Sequence, residues 1–85
     1  MTVVYSREFR HRYAALPGAA QAMAKKQEVL FRKNWRDPRL HTKKLLGKQL
    51  IFSFRITRRY RVLFMFVGES TALFLTIGHR SSIYR

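Results

Sequence analysis

The residues best suited to chemistry are the last eight: Gly78-His79-Arg80-Ser81-Ser82-Ile83-Tyr84-Arg85. An imidazole, cations, hydroxyls and a phenol follow directly on the apolar run Ala72-Leu73-Phe74-Leu75-Thr76-Ile77, which reads as a buried strand. A glycine behind such a strand lets the backbone turn out of it. The following side chains then stand at the lip of a core, where a ligand can reach them. Arg, His and Tyr together suit metal-free cleavage of RNA. In that reaction the 2′-oxygen attacks its own neighbouring phosphate and the 5′-oxygen leaves. It requires a base for the 2′-hydroxyl, an acid for the leaving oxygen, and cations for the charge that builds on phosphorus. Arginine grips phosphate oxygens with a two-pronged fork. His79 is the group in this cluster whose residue type titrates near neutrality. Tyr84 could stack on a base or present its hydroxyl.

Other chemistries find little support. The chain has no cysteine, its histidines (His11, His41, His79) are far apart, and its acids are only Glu8, Glu28, Asp37 and Glu69. No metal-ligand spacing, paired carboxylates or glycine-rich phosphate loop occurs, and Ser81 and Ser82 lack a nucleophile elbow. No metal and no cofactor are expected.

The charge points the same way. Eighteen Lys and Arg against four acids give a net charge of +14 over 85 residues. No acid falls between Pro38 and Gly68, a window that holds Arg39, Lys43, Lys44, Lys48, Arg55, Arg58, Arg59 and Arg61. Self-repulsion on this scale destabilises a small fold unless a polyanion or an acidic partner offsets it. Nucleic acid, an acidic protein and an anionic membrane would all serve. The membrane fits worst, because the cations lie on strand-like segments and not along one amphipathic helix. Neither apolar run approaches the ~20 residues of a membrane-spanning helix. Met1-Thr2-Val3-Val4-Tyr5 lacks the features of a signal peptide, so a cytoplasmic protein is expected.

The length predicts one domain over residues 1–85. Residues 2–5 are short and β-branched, a strand. Ser6 is a good helix N-cap. Phe9, Tyr13 and Leu16 mark one helical face, and Pro17-Gly18 ends it. A second helix is predicted over 19–35, with Met23 and Leu30 inward, stopped by Asp37-Pro38. Strands are predicted over 49–56, 60–67 and 71–77, joined by short links, which makes an antiparallel meander. The expected class is α+β: a compact β-α-α-β-β-β domain whose antiparallel sheet is covered by a helical hairpin, the other sheet face left for ligand.

Each candidate also has a plain structural reading. Arg61 and Arg55 fit a solvated sheet face. Lys43, Lys44 and Lys48 fit diffuse phosphate contacts better than catalysis. His41 fits a loop cap. Tyr84 fits a core plug. Phe52, Phe54, Phe64, Phe66 and Phe74 are expected in the core.

Taken in order, Leu40-His41-Thr42-Lys43-Lys44-Leu45-Leu46-Gly47, Phe54-Arg55-Ile56, Tyr60-Arg61-Val62-Leu63-Phe64, Gly78-His79-Arg80 and Ile83-Tyr84 resemble the RelE/ParE superfamily of bacterial type II toxins. The resemblance spans nearly the whole chain. It implies an antitoxin partner and, in the RelE-like branch, cleavage of messenger RNA in the ribosomal A site. Arg61, Arg80 and Tyr84 match that branch's strand arginine, post-glycine cation and terminal aromatic. Where RelE carries lysines on the first central strand, this chain has Phe52 and Phe54; other branches use a histidine near the last strand, and that likeness implies His79 as acid or base. His41, Lys43, Lys44, Lys48, Arg55, Arg58 and Arg59 are expected to contact RNA. The ParE-like branch has the same fold but inhibits DNA gyrase. A family member that only binds its antitoxin is a third alternative.

Overall fold

Ser6 organises the first half of the fold. Its Oγ accepts from the Phe9 backbone N–H at 2.9 Å and so caps the first helix, as its residue type predicts. The same hydroxyl donates to the Leu75 carbonyl at 2.6 Å, and the Ser6 N–H donates to the Phe74 carbonyl at 3.0 Å. One residue therefore starts a helix and ties it to the last strand. The computed structural model describes residues 1–45, 47 and 50–84. Lys48 lies outside the described residues.

The elements run β1 (Thr2–Tyr5), α1 (Arg7–Ala14), α2 (Gly18–Lys33), a 3₁₀ turn (Pro38–Leu40), β2 (Lys43–Lys44), β3 (Phe52–Arg55), β4 (Tyr60–Gly68) and β5 (Thr71–His79). They form the expected α+β arrangement around one five-stranded sheet of order β1-β5-β4-β3-β2. The meander β3-β4-β5 is antiparallel, as expected. Two features of the strand pairing differ from the sequence reading. β1 joins β5 in parallel, and the Lys43–Lys44 segment forms a short edge strand on β3. A strand's composition does not encode its partner, and two lysines carry no strand pattern. Lysines on an edge also discourage further pairing.

The second helix ends earlier than predicted, at Lys33 with Asn34 as its cap. Asp37 instead caps the 3₁₀ turn, where hydrogen bonds from the Arg39 side chain and backbone hold its carboxyl down at about 2. The buried line of α2 is Ala20, Ala24, Gln27 and Phe31, one position off the predicted face; Met23 and Leu30 flank it. Phe31 is the centre of the core. Its ring lies 4.8–5.1 Å from those of Phe54, Phe64 and Phe74. Phe52 and Phe66 pack at the core's edge against Trp35.

β5 carries an extra residue. Leu63 pairs with Thr76, but Phe64 pairs with Phe74, so Leu75 is a bulge. Ser6 holds the carbonyl of that bulge. Ser6→Ala is expected to cost about 1–3 kcal/mol, more than an exposed cap alone, because the Leu75 carbonyl also loses its donor. Urea unfolding of the variant checks this; a loss under a few tenths of a kcal/mol would contradict it.

Candidate phosphate-binding site

The strand register builds a row of cations on the sheet face away from the helices. Arg55 on β3 stands directly opposite Arg61 on β4, and Arg61 stands opposite Gly78 on β5. Side chains alternate along a strand, so Phe54, Val62 and Ile77 point to the helix side and Arg55 and Arg61 to the other. Like charges directly opposite on neighbouring strands destabilise a sheet. Here the repulsion is concentrated where Arg61 is also half buried.

Arg61 is held firmly. Its Nη1 donates to the carbonyls of Thr57 at 2.8 Å, Arg58 at 3.0 Å and Tyr60 at 3.2 Å. That grip orients the guanidinium and leaves Nε and Nη2 as further donors. Burial pulls its pKa below the guanidinium norm, and the like charge of Arg55 adds to this; Tyr84 opposes the shift and Arg80 reinforces it. Arg55, Arg80 and Tyr84 thus all lie within electrostatic reach of Arg61. Arg61 stays protonated at neutral pH. Arg55 Nε is buried and has no hydrogen-bond partner among the described residues. An unpaired buried donor costs free energy that an incoming acceptor recovers.

Arg80 extends the β4–β5 ladder, its N–H donating to the Arg59 carbonyl at 2.7 Å. The chain does not turn at Gly78 as the sequence suggests, because Gly78 is a paired residue of β5 and the strand runs on to His79. The turn follows, with the N–H groups of Ser82 and Ile83 both bonded to the His79 carbonyl at 3.0 Å. It buries Ile83 and leaves Tyr84 43% exposed, its phenol beside Arg61.

The structure does not bring the His79 ring into this group. His79 pairs with Tyr60, on the helix side of the sheet, and its ring meets that of Tyr60 edge-on at 5.7 Å. Its Nδ1 accepts from the Ser81 N–H at 3.1 Å and lies 2.7 Å from Ser81 Oγ. This geometry holds the turn that presents Arg80 and Tyr84.

The remaining sequence candidates spread around the cluster. Arg58 and Arg59 are exposed in the β3–β4 link, at the same end of the sheet as Arg80. Lys43 pairs with Ser53 and shares the arginine face, whereas Lys44 pairs with Phe52 on the helix side. His41 ends the 3₁₀ turn in a left-handed conformation (φ 49°) and is exposed. Sequence reasoning passed over Gln27. Buried on α2, it donates from Nε2 to the Arg55 carbonyl at 3.1 Å and the Arg39 carbonyl at 3.3 Å. It fixes the backbone that carries Arg55. A glutamine within a run of helix formers gives no signal of this; only the packing of α2 over the end of β3 reveals it.

The site can therefore bind a phosphodiester between guanidinium groups and present a phenol to it. A second surface lies on the helix side. A groove of about 430 Å³ opens between α1 and α2, with Tyr5, Phe9, Tyr13 and Val29 among its walls and Arg10 and Arg32 on its rim.

No protein-family model matches the sequence, and no curated protein matches it. Solved structures do. YafQ from E. coli strain BL21(DE3) aligns with a TM-score of 0.80 over 98% of this chain and 97% of that chain, at 10% identity. A chain of the RelB–RelE antitoxin–toxin complex from Methanococcus jannaschii aligns at 0.69, over 95% of this chain and 94% of that one, with 21% identity. The YoeB/ParE toxin from Agrobacterium tumefaciens aligns at 0.70, over 94% and 99%, also with 21% identity. The chain has the fold of these toxins.

Proposed function

We propose that this chain is a toxin of the RelE/ParE superfamily, and that it is a ribosome-dependent, metal-independent endoribonuclease cleaving messenger RNA. The observation that carries this reading is the opposition of Arg55 and Arg61, reinforced by Arg80 and faced by Tyr84. A sheet that only needed to fold would place opposite or neutral groups there. A pentavalent phosphorane carries more negative charge than the diester it comes from. Fixed guanidinium groups therefore favour the transition state over the ground state. Arg61 and Arg80 hold the non-bridging oxygens of the phosphate under attack. Tyr84 orients the base or the 2′-hydroxyl. The new bond runs from the 2′-oxygen, which gives its proton to water, to phosphorus; the broken bond runs from phosphorus to the 5′-oxygen, which takes up a proton from water. The products are a 2′,3′-cyclic phosphate and a 5′-hydroxyl. His79 acts as a positioning residue for the turn beneath Arg80.

The partner is a cognate antitoxin, supported by the RelB–RelE likeness and by the charge of +14. It is an acidic chain that lays an apolar face into the groove between α1 and α2 and sets its acids on Arg10 and Arg32. Arg58, Arg59, Lys43 and Lys44 contact ribosomal RNA through salt-sensitive phosphate contacts. The work is done in the cytoplasm.

Induction in a bacterium with mapping of messenger RNA 5′ ends tests the activity. Codon-phased cleavage is the expected result. Intact transcripts together with accumulated gyrase–DNA cleavage complex would replace this reading with gyrase inhibition.

A further inference from the structure

The arginine row does not stop at β4. Gly78 continues it on β5, and where its side chain would stand lies the guanidinium of Arg12. A Cβ built on Gly78 would be 3.7 Å from Arg12 Nη1, an ordinary contact distance. Arg12 is in the last turn of α1. Its β5 contact comes from the chain path: β1 stops pairing with β5 at Phe74, and α1 continues along the rest of that edge. Adjacent strands are about 4.8 Å apart, so this cation lies one strand over from the Arg61 position. Its internal partner is weak. Glu8 Oε2 is 3.7 Å from Arg12 Nε, and both side chains are more than half exposed.

A second, independent observation lies on the same strand. Thr76 stands two residues before Gly78 and points to the same face, opposite Leu63. It is only 8% exposed, and its Oγ1 has no hydrogen-bond partner among the described residues. A buried hydroxyl without a partner is costly in a folded protein, and a ligand that supplies an acceptor recovers that cost.

We propose that Arg12 and Thr76 form a second anion subsite on β5, one that takes the phosphate adjacent to the phosphate held by Arg55, Arg61 and Arg80. This deepens the proposed function and rests on it. Arg12 contacts the flanking phosphate as a fork donor, and the Thr76 hydroxyl supports it from below. Two phosphates gripped on neighbouring strands fix the direction of the RNA across the sheet and hold the 2′-oxygen in line for attack.

The test uses 2′-O-methylated RNA, whose blocked 2′-oxygen cannot attack. A dinucleotide with one phosphodiester is compared with a trinucleotide with two, by NMR titration at low salt. The unmodified protein should bind the trinucleotide more tightly than the dinucleotide. Arg12→Gln should lower trinucleotide affinity about tenfold and leave the dinucleotide unchanged. Arg7→Gln, which removes the same charge elsewhere on α1, should spare both. Thr76→Val should also weaken the trinucleotide while raising the melting temperature, since it removes a buried unpaired hydroxyl. Equal losses on both ligands, or none, overturn the subsite. So does a Thr76→Val protein that is stabilised at undiminished affinity. Loss of all binding in Arg61→Ala with none in Arg12→Gln overturns the subsite alone. A wild-type protein that binds neither RNA overturns the subsite together with the phosphate site it adjoins, whereas the proposed function stands or falls on the mapped messenger RNA ends.

Discussion

Arg61→Ala is expected to lower the rate of messenger RNA cleavage on programmed ribosomes by about 10²–10³-fold, the loss that follows removal of one fixed charge-stabilising donor. The reasoning is differential. Arg61 is pinned through Nη1 to three carbonyls, so it pays no reorganisation when charge develops on phosphorus. Its stability effect should be small, because two changes oppose each other. The β3–β4 link loses hydrogen bonds from a charged donor. The sheet is also relieved of a half-buried cation that faces Arg55 and lies near Arg80. Arg61→Lys should recover only part of the rate, since a point charge cannot reproduce the two-pronged grip. Single-turnover cleavage and thermal melting measured on the same preparations separate the two effects. A variant that folds normally and cleaves within threefold of the parent would remove Arg61 from the reaction.

Phe31→Ala is the largest stability change expected, about 3–5 kcal/mol. Phe31 is fully buried and meets Phe54, Phe64 and Phe74 at once. Its loss opens a cavity between helix and sheet that rigid aromatic neighbours cannot close. Small domains are stable by only about 5–15 kcal/mol, and one of 85 residues belongs at the low end. The variant should therefore be largely unfolded near body temperature, and urea titration at low temperature would measure the loss. Val29→Ala, two residues away on the same helix but 53% exposed, should change stability by no more than about 0.5 kcal/mol. Similar losses at both positions would mean that the core is not centred where the structure places it.

Much of this was legible in the residues. The Ser6 cap, the Pro17-Gly18 break, the three-strand meander and the strand phenylalanines are local signals, and local signals act over a few residues. Arg61, Arg80 and Tyr84 were singled out by the resemblance, and residue type says only that such groups suit a phosphate; their nearness to one another is a property of the fold. The face of α2 was misjudged by one position, since Met23 and Leu30 are as apolar as Ala24 and Phe31 and only the fit to the sheet selects between them. Arg12 and Gln27 gave no signal at all, because each matters through a partner far away in sequence: Gly78 for one, the Arg55 carbonyl for the other.

By itself, the sequence determined the class of the fold, the excess of cations and the chemistry those cations suit. The tertiary structure decided which of them meet, and a single extra residue shows why. Strict alternation from Phe74 would have pointed His79 to the face of Arg61 and Gly78 to the helices. The bulge at Leu75 reverses that order, aligning Gly78 with Arg61 and turning His79 onto Tyr60. The bulge is held by a hydroxyl from Ser6, 69 residues earlier in the chain. A contact between such distant residues exists only once the chain has folded, so no local pattern announces it.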